Sequence, residues 1–162
     1  MKIMAFCEPL SVKLLAGLAL PAALLVSSMS FADVVISDSW ARESIPGTSS
    51  SALFASVKNT GKKDVTLVSV AVQGADKTEL HASQDDGGMM RMRRLEQVVI
   101  PAGQTVELAP GGYHVMLFRL AAPLRAGQTV ATEFRFASGE KVAATADVRS
   151  ARGADHHHHH QH

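Results

Sequence analysis

From Asp33 onward, apolar and polar residues alternate with a period of two in short runs, and clusters of turn residues separate the runs. The alternation predicts strands over Val34–Trp40, Ala52–Lys58, Val65–Val72, Thr78–Ala82 and Met90–Val99. It predicts further strands over Thr105–Leu108, Tyr113–Leu120, Thr129–Phe136 and Lys141–Val148. Between them stand Pro46-Gly47, Asn59-Thr60-Gly61, Asp85-Asp86-Gly87-Gly88, Pro101-Ala102-Gly103, Pro110-Gly111-Gly112, Ala126-Gly127 and Ser138-Gly139. Glycine supplies positive φ and proline presets a turn angle, so each cluster has a mechanical reason to end a strand. No run with the helical period is long enough to form a helix in this body. The pattern predicts an all-β, antiparallel sandwich or barrel with Greek-key connections. Val130, Thr132, Phe134 and Phe136 share one face of their strand, and Val142, Ala144, Ala146 and Val148 share one face of the next. The two are expected to pair as a hairpin closing the sandwich, with Trp40, the only tryptophan, as a core plug.

The first 32 residues follow a different pattern. Lys2 and Lys13 bracket a short charged region, an apolar run follows over Leu14–Val26, and Ser30-Phe31-Ala32 places small residues at a cleavage site. This reads as a secretory signal peptide cut between Ala32 and Asp33. The run is shorter than the ~18–20 apolar residues of a spanning helix, and Pro21 interrupts it. Export to the periplasm, with no membrane span after cleavage, is the expected localisation. Cys7, the only cysteine, precedes the apolar run rather than ending it, so a lipid-attachment site is not expected there. Without the leader the chain has no thiol chemistry, no disulfide and no thiolate metal site. It also has equal numbers of acidic and basic residues, which gives no reason to expect nucleic acid as a partner. About 130 residues remain, enough for one domain with a single core. The expected division is 1–32 leader, 33–149 β-sandwich and 150–162 disordered tail, the whole a monomer.

Chemistry concentrates in one segment. Apart from leader and tail, every histidine and methionine lies between His81 and Met116: His81, Met89, Met90, Met92, His114 and Met116. The body has ample leucine, valine, isoleucine and alanine, so it does not need methionine as core filler. Imidazole with thioether and no cysteine suits cuprous copper. Side chains two apart on a strand share a face, so His114 pairs with Met116 and Met90 with Met92, while His81 is expected to arrive from the end of a third segment. Taken singly, a strand histidine is more often a hydrogen-bonded structural group, and a lone methionine is usually core filler. Met89 reads best as an apolar loop cap. Arg91, Arg93 and Arg94 read as a solvated face or a docking patch for an acidic partner. Asp85 and Asp86 are turn formers without the spacing of a calcium loop.

Ten residues separate His81 from Met92, twenty-one separate Met92 from His114, and one separates His114 from Met116. This register resembles the signature of the PCuAC family of periplasmic copper chaperones. Glu79-Leu80-His81, Met90-Arg91-Met92-Arg93, Pro110-Gly111-Gly112-Tyr113-His114-Val115-Met116 and Trp40-Ala41-Arg42 with Pro46-Gly47 resemble that family's segments. The resemblance covers Val34 to Val148. It implies a cupredoxin-like sandwich holding one Cu(I) through His81, Met92, His114 and Met116. It also implies delivery to the Cu_A centre of cytochrome c oxidase, directly or with Sco-type proteins. Some members have methionine directly after the first histidine, where this chain has Ala82; Met90 could substitute.

After Arg149 the chain reads Ser-Ala-Arg-Gly-Ala-Asp and then His156, His157, His158, His159, His160, Gln161 and His162. No residue there is apolar and large enough to pack. Five histidines followed by Gln-His differ from an uninterrupted hexahistidine tag, so a cloning remnant and a natural tail are both open origins. A natural tail would offer imidazole to Cu(II), Ni(II) or Zn(II). No open coordination position with an adjacent acid or base is evident, except for Glu79, so an enzyme is not expected. A copper buffer for tolerance and a metal-free protein-binding module are the competing functions.

Overall fold

The computed structural model describes residues 33–150, so both the leader and the His-rich run lie outside the described residues. Ten strands form in chain order: β1 (Val34–Arg42), β2 (Ser51–Asn59), β3 (Val65–Val72), β4 (Ala75–Asp86) and β5 (Met89–Leu95), then β6 (Val98–Ile100), β7 (Thr105–Leu108), β8 (Tyr113–Leu120), β9 (Thr129–Phe136) and β10 (Lys141–Arg149). The all-β expectation holds, and most strand bounds agree with the period-two pattern.

The strands make one continuous hydrogen-bonded ladder in the order β5-β4-β8-β7-β2-β1-β10-β9-β3-β6. Its two ends, β5 and β6, are separated in the chain only by Glu96 and Gln97. So short a link forces the ladder to roll back on itself, which gives it two facing layers and one core. Pairing is antiparallel except along β1–β10, where Trp40–Arg42 run beside Asp147–Arg149, and at a single β7–β8 pair. The roll is helped by a bulge in β1 between Ser37 and Trp40, where Asp38 takes φ 47°. A bulge sharpens the local twist, and beyond it Trp40 and Ala41 pair with β2 on one edge and with β10 on the other.

The segment 90–99, expected as one strand, is two strands at opposite ends of the ladder. Glu96 and Gln97 are both exposed, and alternation resumes at Val98 and Ile100, which are buried. The adjacent polar pair marks the break between the strands, but nothing local shows that the chain passes there to the far end of the ladder. The strand expected over 78–82 is longer, extending past β8 as a ribbon paired only with β5. Trp40 is half-buried rather than a core plug; its ring stacks on Phe54 at 4.4 Å between centroids, with the Arg149 guanidinium 5.5 Å from its own.

The core takes one face of each strand. Leu53, Leu67, Val70, Ile100, Val115, Leu117 and Phe134 are almost wholly buried. Each such side chain contributes about 1.5–3 kcal/mol relative to exposure. The β9–β10 hairpin forms as expected, with Val130, Thr132, Phe134 and Phe136 inward. One polar residue sits among these groups. Asn59 is fully buried, donates from Nδ2 to the carbonyls of Lys63 (2.8 Å) and Ile100 (3.0 Å), and accepts from the Gly61 amide (2.9 Å). It ties the end of β2 to its following loop and to β6.

Asn59→Ala should therefore cost about 2–3 kcal/mol, because it leaves the buried Ile100 carbonyl without one partner. Urea unfolding checks this: the midpoint should fall with an unchanged slope. A loss below about 0.5 kcal/mol would place Asn59 among ordinary surface positions.

Candidate metal centre

The face of the ladder turned away from the core carries the candidate ligands. In an antiparallel pair, residues directly opposite one another project from the same face. Leu80 faces Val115 and Val115 faces Leu53, all three buried in the core. Their neighbours alternate outward, so His81 lies directly opposite His114, Glu79 opposite Met116, and Met116 opposite Ala52. His81 thus sits within β4 as the cross-strand partner of His114, not at the end of a segment.

The methionines of β5 reach the same face through a hairpin. Gly87 (φ 66°) and Gly88 (φ 89°) form a two-residue turn with positive φ at both positions, a conformation suited only to glycine and a few polar residues. That turn sets the register: Met92 opposite Ser83 and Met90 opposite Asp85, two and four positions along β4 from His81. Met90, Met92, His114 and Met116 consequently line one cleft of about 420 Å³, with Arg42 and Phe54 on its other wall. Met90 is 62% exposed and Met92 66%. Core packing does not account for either. Met89, equally exposed, lies opposite Asp86 and so projects from the other face of the ribbon.

The two imidazoles are held by groups that can only accept. His81 Nε2 is 3.0 Å from a Glu79 carboxylate oxygen, and His114 Nδ1 is 3.0 Å from the Gly112 carbonyl. Each of those nitrogens must therefore carry the proton. In the neutral rings this leaves a bare lone pair on His81 Nδ1 and on His114 Nε2. Both of these atoms are buried and have no hydrogen-bond partner. The rings lie 5.8 Å apart, tilted by 49°. A histidine held through one nitrogen by a carboxylate or a carbonyl, with the other nitrogen free, is the usual state of a metal-ready imidazole.

Electrostatics keep that arrangement in place. Hydrogen bonds from Lys77 and then His81, with the charges of Lys77 and Arg94 nearby, hold the Glu79 carboxyl at about 2 against the opposing effect of burial. Glu79 is therefore ionised at any physiological pH and acts as an anchor for His81, not as a proton-transfer group. Burial pushes His114 below the ordinary imidazole value, the Gly112 bond opposes this, and the charges of His81 and Arg42 add to the lowering. Among the described residues, no group of three or more His, Cys, Asp and Glu side chains could hold a metal ion. A metal on this face would take its nitrogens from the two histidines and its remaining ligands from thioethers. Arg91 and Arg93 project from the ribbon's other face, Arg91 Nε lying 3.1 Å from Asp86, and are solvated as expected.

Residues 34–148 match the model of the LpqE-like family, whose members are described as candidate lipoproteins. The chain belongs to the LpqE-like family. Within reach of that family, a candidate lipoprotein of Leifsonia xyli subsp. xyli, Lxx21020, is 35% identical over 123 residues, spanning 75% of this chain and 73% of that protein. An uncharacterised Rickettsia prowazekii protein, RP573, is 29% identical over 101 residues, spanning 60% of this chain and 56% of its own length. Among solved structures, the Cu(I) form of DR1885 from Deinococcus radiodurans superposes with a TM-score of 0.61 at 27% identity, covering 80% of this chain and 86% of that one. The copper-bound PCuAC domain from PmoF2 gives a TM-score of 0.62 at 21% identity, covering 73% and 93%. At that identity the second likeness shows the fold alone. The LpqE-like chain thus has the cupredoxin-like β fold expected from its resemblance to PCuAC domains.

Sequence reasoning missed Glu79 as the anchor of His81, and it missed Arg42 and Phe54 as the facing wall. The first was signalled by the i, i+2 spacing on one strand face; the second depends on a long-range contact and had no local signal.

The depressed His114 value predicts how the metal-free protein responds to acid. Between 6.5 and the lower folded value, the unfolded chain takes up a proton that the folded chain does not. The stability this imidazole contributes is thus present above 6.5 and is lost as pH falls through the folded value. A second loss, from Glu79, should begin below about 4.5 and run toward about 2. Urea midpoints of the apo protein at stepped pH would show both phases, and His114→Gln should remove the first alone. A first phase that survives that substitution would assign it to another group.

Proposed function

We propose that this protein is an exported copper chaperone and not an enzyme, holding one Cu(I) on the outer face of β4, β5 and β8. The ligands are His81, Met92, His114 and Met116, with Met90 as an auxiliary. The observation that carries this is the pair of buried, unpartnered imidazole nitrogens, His81 Nδ1 and His114 Nε2, on the face that also carries three methionines. A buried polar atom without a partner is costly, so two on one face call for a shared ligand. Neutral nitrogen and thioether donors suit a soft, singly charged ion. The Deinococcus protein, whose Cu(I) form has this fold, supports the same cargo. A non-enzymatic role fits a face on which the carboxylate beside the histidines, Glu79, is committed to His81.

Delivery is the fitting use of such a site. Thioethers are neutral and weak ligands, and Met90 and Met92 stand on an exposed ribbon where an acceptor could approach them. A thiolate-rich acceptor would draw the ion away, which fits the Cu_A centre of cytochrome c oxidase, reached directly or with Sco-type proteins. Export to the periplasm rests on the leader. The lipoprotein description belongs to the family and its relatives; in this chain Cys7 precedes the apolar run. The His-rich tail would serve as a separate Cu(II) site.

X-ray absorption on the chain loaded with one equivalent of Cu(I) should show both sulfur and nitrogen scatterers; a shell of nitrogen and oxygen alone would overturn the assignment. Met92→Leu with Met116→Leu conserves volume, so apo thermal stability should hardly move while Cu(I) retention drops sharply. Normal retention in that double variant would make the methionines packing residues. Deleting residues 150–162 should abolish one class of Cu(II) binding and leave Cu(I) affinity unchanged.

A further inference from the structure

Arg42 stands on the wall of the His/Met cleft and has no role in the ligand set described above. Its backbone is locked, since β1 pairs Arg42 with Arg149 and the Ser51 hydroxyl donates to the Arg42 carbonyl. The guanidinium carbon lies 5.9 Å from the centre of the Phe54 ring, which itself lies 6.4 Å from the His114 ring. Arg42 Nε is buried and has no hydrogen-bond partner, and no ion pair among the described residues neutralises the side chain. Glu43 also borders the cleft, but one of its carboxylate oxygens accepts from the Ala126 amide at 3.4 Å. On β4, Glu79 is ion-paired with Lys77 at 2.7 Å and Arg94 at 3.7 Å, so that cluster has no net negative charge. The two cations, with side chains 49% and 68% exposed, are themselves open to solvent. The half-buried Arg42 is the cation on this face that solvent screens least.

We propose that Arg42 sets the oxidation-state preference of the His/Met face, its fixed positive charge favouring the singly charged cuprous ion over the doubly charged cupric ion. The inference rests on the copper function proposed above. Imidazole and thioether are neutral, so no ligand offsets the charge of the ion they hold. A neighbouring cation then penalises Cu(II) by twice as much as Cu(I), a difference that acts directly on the one-electron equilibrium between them. The cation–ring contact with Phe54 keeps the guanidinium in position without neutralising it. A unit charge roughly 10 Å away, at an effective dielectric of about 20, changes relative affinity by about tenfold or more. Arg42 also weakens overall copper affinity, which suits cargo that must be released.

The test is the midpoint potential of the copper-loaded full chain, with His156–His160 and His162 replaced by glutamine so that Cu(II) has no tail site. Equilibrium titration against mediators of known potential reads it. Arg42→Met keeps an apolar stem over Phe54 and should favour Cu(II) by about tenfold, equal to a potential lower by about 59 mV for one electron. Arg42→Lys keeps the charge and should restore at least half of that shift. Arg93→Met, on the ribbon's other face, makes the same change in net charge and should shift the ratio less than twofold. Apo thermal midpoints confirm folding, and Arg42→Gln, which removes the charge but keeps a polar head, takes the place of Arg42→Met if that variant does not fold. The proposal is overturned by a wild-type potential in folded Arg42→Met, by equal shifts in Arg42→Met and Arg93→Met, or by a potential in Arg42→Lys as low as in the methionine variant. Failure of the wild type to take Cu(I) from a chromogenic chelator would instead overturn the copper function itself, before any variant is compared.

Discussion

The antiparallel register between β4 and β8 is the constraint on which the rest of the site depends. It places His81 opposite His114 and Glu79 opposite Met116, and it commits Leu80 and Val115 to the core. A slip of one residue would turn Leu80 to solvent and drive Glu79 and His81 into the core. The ligand geometry is therefore held by the same apolar burial that holds the sheet, without a separate set of contacts. The hydrogen bonds of Glu79 and Gly112 then only have to choose which nitrogen of each ring is bare.

β4 does two jobs along its length. From Ala75 to Ala82 it pairs with β8, and over Leu80–Ala82 it is paired with β5 as well and so fixed on both edges. Beyond Ala82 it pairs only with β5, and the resulting ribbon carries Met90 and Met92 into solvent. The part beside β8 carries His81 opposite His114, and the projecting ribbon carries Met90 and Met92, while Met116 lies on β8 itself. A row of arginines on β5 adds charge to an edge strand that would otherwise offer free backbone groups to another chain.

Much of this was legible in the sequence because strand alternation is a local signal. β3, β7, β8 and β9 have the bounds that the pattern predicts, and the face shared by His114 and Met116 follows from their spacing alone. The Gly87-Gly88 turn was equally readable, since positive φ at both turn positions needs residues of that kind. What stayed hidden was whatever depends on contacts between distant segments. The adjacent polar pair Glu96-Gln97 interrupts the alternation, but nothing local shows that the two strands it separates lie at opposite ends of the ladder. The half-burial of Trp40 reflects its place between the Phe54 ring and the Arg149 guanidinium, which only the β1–β2 and β1–β10 pairings create. Glu79 lay in between: its shared face with His81 was visible, but its two cationic partners, Lys77 and Arg94, come from two different strands.

Burial is distributed unevenly among the candidate donors, and the unevenness has a physical consequence. His114 is 4% exposed, Met116 is half-buried, and Met92 is 66% exposed. Imidazole nitrogens that water cannot reach lose nothing to hydration when an ion arrives, so they favour capture. Thioethers are weakly hydrated in either state, and their exposure adds little to the cost of letting go. An ion held in this way would sit with its nitrogen side toward the sheet and its sulfur side toward solvent. Exchange would then begin at the sulfur side, where an incoming ligand can displace one methionine while the two anchored histidines keep the ion in place. For the proposed copper cargo, the steep gradient from buried imidazole to open thioether would favour stepwise transfer over release into water.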